Sequence, residues 1–191
     1  MREKSARRGG SRAARPLSSE RLDEMALAYV ARFATSAGKL RDYCRRKLRE
    51  RGWEGADDGA PPPDVEALVG RMVRAGYVDD AGFARMKAGA LRRRGLGSAR
   101  VEQTLRAAGI ADDLREDARG SERERRDAAV TLARRRRLGP FALVRDPATR
   151  EKQLAALIRA GHSLDIARRI VDAEDEAGLD EWVEEANDDG E

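Results

Sequence analysis

Clusters of arginine are the residues whose type and spacing point most clearly to a binding chemistry. One cluster follows a helical face, because Arg41, Arg45 and Arg49 recur at i, i+4 and i+8. Arginine presents a planar fork of N–H donors to phosphate or carboxylate, and it keeps its charge at physiological pH. We therefore predict a basic face that binds a polyanion. Its candidate residues are Arg41, Arg45, Arg46, Arg49, Arg92, Arg93, Arg94, Arg134, Arg135, Arg136 and Arg137.

Formal charge is distributed unevenly along the 191 residues, although the total is only +4. Residues 1–16 carry +5, residues 17–171 carry +10 and residues 172–191 carry −11. A basic body favours a polyanionic partner such as nucleic acid. The alternative is a general bias toward arginine in this sequence, which produces the same charge pattern. Each arginine cluster is then an ordinary solvated surface. The acidic C-terminal stretch either screens the basic face from phosphates or only improves solubility.

The sequence contains no set of residues with the spacing of a catalytic or metal-binding site. It has one cysteine, Cys44, and one histidine, His162, which excludes a disulfide framework and a cluster of Cys and His ligands. The pairs Asp79–Asp80 and Asp112–Asp113 stand at predicted helix starts, where carboxylates stabilise the helix dipole. We therefore predict a protein that is not an enzyme and has no cofactor. Cys44 is predicted to lie in the core, and His162 to be exposed or to cap a helix locally.

Apolar residues recur at helical spacing along most of the chain. The first stripe consists of Leu22, Met25, Ala26, Tyr29, Val30 and Phe33. No stretch alternates apolar and polar residues as a half-buried strand does, so we predict an all-α fold. No apolar run approaches the ~20 residues that span a membrane, and the basic N-terminus lacks the apolar core of a secretory signal. We expect a cytoplasmic protein without membrane contact.

The predicted helices end and begin in recurrent patterns. Five apolar residues are each followed, four positions later, by one of the glycines Gly52, Gly76, Gly95, Gly109 and Gly161. Glycine adopts the left-handed conformation that ends a helix without the steric cost of a side chain. We expect the residue after the glycine to fold back, so that Tyr77 packs on Met72. The predicted helix-starting residues are Ser18 or Ser19, Asp79–Asp80, Ser98, Ser121, Asp146 and Ser163.

A longer repeat underlies these helices. The spacing of Ser98, Val101 and Leu105 recurs 65 residues later, starting from Ser163. Repeats of several short helices favour a stacked, elongated molecule in which each unit contacts mainly its neighbours.

Three segments, residues 26–53, 68–110 and 157–173, resemble the bacterial RecX regulatory proteins. The most specific part is Gly76-Tyr77-x-Asp79-Asp80-x-x-Phe83-Ala84. The resemblance implies three tandem three-helix repeats that form an elongated, curved helical solenoid. We place the repeats at residues 18–76, 77–138 and 139–186, between a disordered basic arm (1–17) and a disordered acidic end (187–191).

The resemblance also implies a partner and a function. RecX proteins bind the RecA recombinase and its filament on single-stranded DNA. We therefore expect this chain to act as a monomer that modulates, mostly by inhibition, the recombination, ATPase and SOS-coprotease activities of RecA. Single-stranded or duplex DNA is a further candidate partner. The alternative is a general nucleic-acid-binding helical module that acts without RecA, loses affinity steeply with salt and does not distinguish a RecA filament from naked DNA.

Overall fold

The computed structural model describes residues 15–143 and 146–186, and the part described is helical. Its α-helices are α1 (Ser19–Arg32), α2 (Ala37–Arg51), α3 (Val65–Arg74), α4 (Asp80–Arg93), α5 (Ser98–Ala107), α6 (Asp112–Asp117), α7 (Glu122–Arg136), α8 (Pro147–Arg159), α9 (Leu164–Val171) and α10 (Ala177–Glu185). A single 3-10 turn, Gly139–Phe141, lies between α7 and α8 in this described part. These residues contain no β-strand, only an isolated bridge between Leu17 and Trp53. The all-α prediction is confirmed.

The chain divides into two compact units. Unit 1 contains the chain up to Phe33 and then Leu40–Tyr77, and therefore holds α1, most of α2 and α3. Unit 2 contains Ala34–Lys39 and the chain from Val78 onward, and holds α4 to α10. The boundaries of three repeats stay a prediction.

Unit 1 has an aliphatic core. The α1 helix begins at Ser18, whose hydroxyl accepts a hydrogen bond from the Arg21 amide, and it buries Leu22 and Ala26. Cys44 is fully buried, as predicted, and burial raises the pKa of its thiol to about 11. Its role is therefore packing, because a thiol reacts as the thiolate.

Order in unit 1 extends further toward the N-terminus than the predicted boundary of the basic arm. Leu17 is fully buried, its amide donates to the Gly52 carbonyl, and its carbonyl accepts from the Glu54 amide. Residues 1–14 of the predicted disordered arm lie outside the described residues. The remaining residues of the arm, 15–17, include this anchored Leu17. A buried apolar side chain and two backbone bonds stabilise this position.

Four of the predicted helix stops share one hydrogen-bond pattern. After Gly76, Gly95, Gly109 and Gly161, the next amide donates to the carbonyl of the residue five positions earlier. All four glycines have positive φ, which is the backbone conformation of a Schellman cap. Gly52 also has positive φ, but its own amide returns to Leu48. The turn at Gly76 is closed by the Tyr77 amide, which donates to the Met72 carbonyl, and Tyr77 is 57% exposed. Packing of the Tyr77 side chain on Met72 stays a prediction.

In unit 2, the loop between α4 and α5 meets the end of α8. The Gly97 amide donates to the Ala160 carbonyl at 3.0 Å, and the Ala99 amide donates to the Gly161 carbonyl at 3.1 Å. A Cβ atom at Gly97 would lie 2.3 Å from the Gly161 carbonyl oxygen, so the approach requires glycine. The prediction that Ser98 caps α5 is wrong. The cap is Gly97, without a side-chain hydrogen bond, because backbone carbonyls from the end of α8 accept the amides there.

His162 is buried, and the prediction that it is exposed or a local cap is wrong. It follows Gly161, at a position that Leu96 occupies after Gly95 in the preceding repeat. Its ring nitrogen Nε2 lies 3.0 Å from the Gly95 carbonyl oxygen, which satisfies a polar atom in this apolar position. Burial lowers the pKa of His162, and the bond to Gly95 opposes that shift.

The core of unit 2 is built around α7. Ala128, Ala129 and Ala133 are fully buried on this helix, and their small side chains let neighbouring helices approach closely. The C-terminal helix α10 buries Leu179 and Val183, although it lies in the acidic stretch. The predicted acidic end, residues 187–191, lies outside the described residues. None of the described helices is long and apolar enough to cross a membrane.

Candidate nucleic-acid interface

The ends of α4 and α7 bring two of the predicted arginine clusters together in unit 2. Arg94, Arg135 and Arg136 line a cavity of about 210 Å³ whose other lining residues are Leu96 and Leu132. The Arg135 guanidinium donates to the Arg94 carbonyl at 3.1 Å. We call Arg94, Arg135 and Arg136 the arginine pocket. Its three exposed cations converge although they are separated widely in sequence.

Local structure explains why these arginines can lie together. Gly95 ends α4 directly against α7, since a Cβ atom there would lie 2.9 Å from the Leu132 backbone nitrogen. Both helices end at the pocket, and the partial negative charge of a helix C-terminus stabilises nearby cations. The remaining positive charge of these arginines is open to solvent.

Other arginines of the same two clusters have structural roles. The side chain of Arg92 is only 13% exposed, lies 3.4 Å from Glu124 and donates to the Ala118 carbonyl. The guanidinium of Arg92 is therefore held inside unit 2, and a binding role for Arg92 stays a prediction. Arg134 pairs with Glu176 at the start of α10 and lies 5.4 Å from the centre of the Phe141 ring.

Two further members of these clusters are exposed. Arg137 has a φ of 56° and takes the left-handed position that glycine occupies at the four Schellman caps. Its backbone closes α7, while its side chain is exposed to solvent. Arg93 is exposed and makes no ion pair with any described carboxylate.

The arginines of the predicted face on α2 are partly neutralised within unit 1. Arg41 donates through Nε to both oxygens of Glu66, at 2.8 and 2.9 Å, and Arg45 donates to the same carboxylate at 2.9 Å. Arg49 is exposed and forms no close ion pair among the described residues. These ion pairs are partly exposed, and exposed ion pairs contribute little to stability.

Arg46, the last member of the predicted face, lies 3.6 Å from Glu50, which Lys47 also contacts at 2.6 Å. The hydrogen bond from Lys47 holds the pKa of Glu50 below its ordinary value. Arg46 also lies over the Tyr43 ring, with its guanidinium carbon 5.6 Å from the ring centre. It is thus shared between an acid and an aromatic ring.

A second basic surface in unit 2 has no counterpart in the sequence prediction. Lys39, Lys87 and Arg100 line an open groove of about 420 Å³, together with the neutral residues Gln103, Thr104, Ala107 and Ala108. We call Lys39, Lys87 and Arg100 the lysine groove. None of these three cations pairs with a carboxylate in the part of the chain that the structure describes. The three residues come from separate parts of the sequence, so no local cluster could have indicated the groove.

These features define a class of protein: an all-α chain of repeated short helices that presents clustered cations at its surface. Comparison with known proteins narrows the class. Residues 79–118, which cover α4 to α6, match the family model described as RecX, second three-helix domain.

Two curated relatives carry the name regulatory protein RecX. The chain is 37% identical to the one from Myxococcus xanthus (strain DK1622) over 172 residues, covering 86% of this chain and 91% of the relative. It is 35% identical to the one from Deinococcus radiodurans over 124 residues, covering 63% of this chain and 56% of that relative. The chain therefore belongs to the RecX family of regulatory proteins.

Solved structures share the fold. RecX from Lactobacillus salivarius superposes with a TM-score of 0.61 at 18% identity, covering 85% of this chain and 96% of that one. A second crystal structure of a regulatory protein RecX gives a TM-score of 0.60 at 18% identity, over 81% and 74% of the two chains. At this identity the likeness establishes the fold of helical repeats.

Proposed function

We propose that this protein regulates the RecA recombinase by binding RecA and its filament on single-stranded DNA, without catalysing a reaction. Membership of the RecX family supports this function, since the resemblance to RecX proteins implies RecA as the partner. The observation that carries the proposal is the arginine pocket, where Arg94, Arg135 and Arg136 surround one cavity. A nucleoprotein filament offers both phosphates and protein carboxylates to such a site.

The composition of the pocket suits a phosphate or carboxylate held between guanidinium groups. Each guanidinium can form two parallel hydrogen bonds to an oxyanion. Leu96 and Leu132 add apolar surface to the lining, which reduces competition from water and strengthens the electrostatic attraction. The bond from Arg135 to the Arg94 carbonyl restrains one guanidinium before the partner arrives, so less side-chain entropy is lost on binding.

The lysine groove is a second basic surface of unit 2 and supports the same function. Its cations come from the first turn of α2, from α4 and from α5, and its neutral lining includes Gln103 and Thr104 as hydrogen-bonding groups. Binding at both surfaces would occupy the filament without any chemical step. We expect bound protein to lower the recombination, ATPase and SOS-coprotease activities of RecA.

The test is a charge reversal in the arginine pocket, Arg135→Glu with Arg136→Glu. We measure RecA ATPase and strand exchange on single-stranded DNA at substoichiometric amounts of each variant. Loss of one charge-assisted hydrogen bond costs about 1.5–3 kcal/mol, so the concentration that gives half the effect should rise about tenfold or more.

The matched control is Arg168→Glu with Arg169→Glu, which reverses two adjacent exposed arginines in the last turn of α9 in the same unit. We expect this control to regulate RecA as the unaltered protein does. Equal loss in both double variants would show that net charge matters and the pocket does not. An unaltered protein that binds naked DNA but leaves RecA ATPase unchanged would instead support the general nucleic-acid-binding module.

A further inference from the structure

We propose that unit 1 carries a stacking site for unpaired nucleobases, formed by the rings of Tyr29, Phe33 and Tyr43. We call these three rings the aromatic ladder. The site differs in composition from the arginine pocket and the lysine groove, because it combines aromatic rings with arginines. Its ligand is a single-stranded nucleic acid, bound through its bases, and this binding does not require RecA.

The ladder is a continuous series of ring contacts. Tyr29 and Tyr43 stack with their centres 4.3 Å apart and their planes 15° from parallel. Phe33 follows Tyr29 by one helical turn, with the ring centres 5.3 Å apart and an angle of 47°. Tyr29 therefore lies between the other two rings, and Phe33 and Tyr43 form the two ends.

The Phe33 end of the ladder is open to solvent. Phe33 ends α1 in an extended conformation and is 52% exposed. Burying a large aromatic side chain is strongly favourable, so a half-exposed ring beside an aliphatic core leaves apolar surface for a ligand. The whole sequence contains only eight Phe, Tyr and Trp residues, and three of them meet in this ladder, in which Phe33 is exposed and Tyr29 and Tyr43 are partly buried.

Arginines stand at both ends of the ladder. The guanidinium carbon of Arg32 lies 5.8 Å from the centre of the Phe33 ring, and that of Arg46 lies 5.6 Å from the centre of the Tyr43 ring. Sites for single strands combine aromatic faces that stack on bases with cations that follow the phosphates. The ladder and its flanking arginines supply both groups within a short distance.

The chemistry favours an unpaired base over other ligands of an aromatic surface. A cationic ligand would be repelled by Arg32 and Arg46. A base in a duplex has both faces covered by its neighbours, whereas an unpaired base can leave the stack and lie on a ring. An apolar side chain of a protein partner could also cover Phe33, but it would not use the arginines.

The test compares strands that differ only in their bases. We measure the binding of a fluorescent oligothymidylate, and of an abasic strand of the same length, to the full chain without RecA. Stacking of one base on an aromatic side chain contributes about 1–3 kcal/mol, so Phe33→Ala should weaken oligothymidylate binding about tenfold. Phe33→Trp, which keeps an aromatic ring, should restore the affinity, and neither variant should change binding to the abasic strand.

Tyr77→Ala is the matched control. It removes another exposed ring of unit 1, 57% exposed, that stacks on no described aromatic side chain. This variant should bind both strands normally, and circular dichroism should show that all three variants remain folded. Unchanged oligothymidylate binding by Phe33→Ala, or equal losses for the normal and abasic strands, would overturn the proposal. Because RecA is absent from this assay, neither result bears on the proposed regulation of RecA. That function is tested separately by the RecA ATPase and strand-exchange measurements.

Discussion

Replacing Gly97 by alanine should destabilise unit 2 through steric contact alone. Gly97 has φ −79° and ψ 171°, an extended conformation that alanine adopts without strain. The added Cβ atom would lie 2.3 Å from both the carbonyl carbon and the oxygen of Gly161, and 2.4 Å from the His162 nitrogen. All three are backbone atoms, so the contact cannot be relieved by turning a side chain.

The size of the effect follows from this geometry. Restoring ordinary contact requires the two backbone segments to separate by about 1 Å, as expected when a packed site receives an extra carbon. That separation lengthens the bonds from Gly97 to Ala160 and from Ala99 to Gly161, which are now 3.0 and 3.1 Å. Two lost hydrogen bonds and the strain of overpacking together cost about 3–5 kcal/mol. This is a large part of the stability of an ordinary domain.

The measurement is urea unfolding followed by far-ultraviolet circular dichroism, with Gly89→Ala as the control. Gly89 lies inside α4 in the same unit, and a Cβ atom there would meet only the end of the flexible Arg93 side chain, at 3.2 Å. Alanine is the better helix former by about 0.5–1 kcal/mol, so this control should be neutral or stabilising. If Gly97→Ala costs less than about 1 kcal/mol, the reasoning from close backbone contact and overpacking is refuted.

Three other predictions concern ionisable groups. Because burial raises the pKa of Cys44 to about 11, a thiol reagent should label the protein only after denaturant is added, and fast labelling of the native chain would contradict its burial. Burial lowers the pKa of His162, so stability should be full above about pH 6.5 and fall below it, as the unfolded chain takes up the proton first. His162→Leu should remove that acid-side loss in urea midpoints measured on either side of this pH. Glu176→Gln with Asp180→Asn should free Arg134 from its ion pairs and tighten binding to single-stranded DNA at low salt, with the gain shrinking as salt rises. Glu181→Gln with Glu184→Gln, which neutralises two acids of α10 that form no ion pair within the described part of the chain, should give a smaller gain, and equal gains would indicate net charge alone.

The helix ends show what local sequence can predict. A Schellman cap needs one residue that tolerates positive φ and an apolar residue a turn earlier, and both requirements lie within six consecutive residues. The glycine pattern therefore predicted the stops at Gly76, Gly95, Gly109 and Gly161, all of which the structure confirms. The same reasoning located the capping box at Ser121, whose partner Glu124 is three residues away.

The wrong predictions concern residues whose contacts are with a distant part of the sequence. Ser98 is a good cap residue by type, but the start of α5 is bonded to Ala160 and Gly161, about 60 residues further along the chain. His162 is polar and was expected at the surface, yet Gly95 supplies a carbonyl that satisfies its ring in a buried site. Neither contact can be predicted from the residues that neighbour Ser98 or His162 in the sequence.

The sequence by itself determined the helices, their ends, the excess of positive charge in the body of the chain and the resemblance to RecX proteins. The tertiary structure decided which cations remain available, since Glu66 and Glu176 neutralise arginines far from them in sequence while Arg94 and Arg135 meet at one pocket. The physical reason is that the two kinds of interaction depend on different distances, one along the chain and the other in space. Backbone conformation and capping depend on neighbours along the chain, whereas ion pairs and ring contacts require atoms within a few ångströms in space. The number of residues between two side chains predicts the distance between them within a single helix. It does not predict the distance between side chains on two different helices.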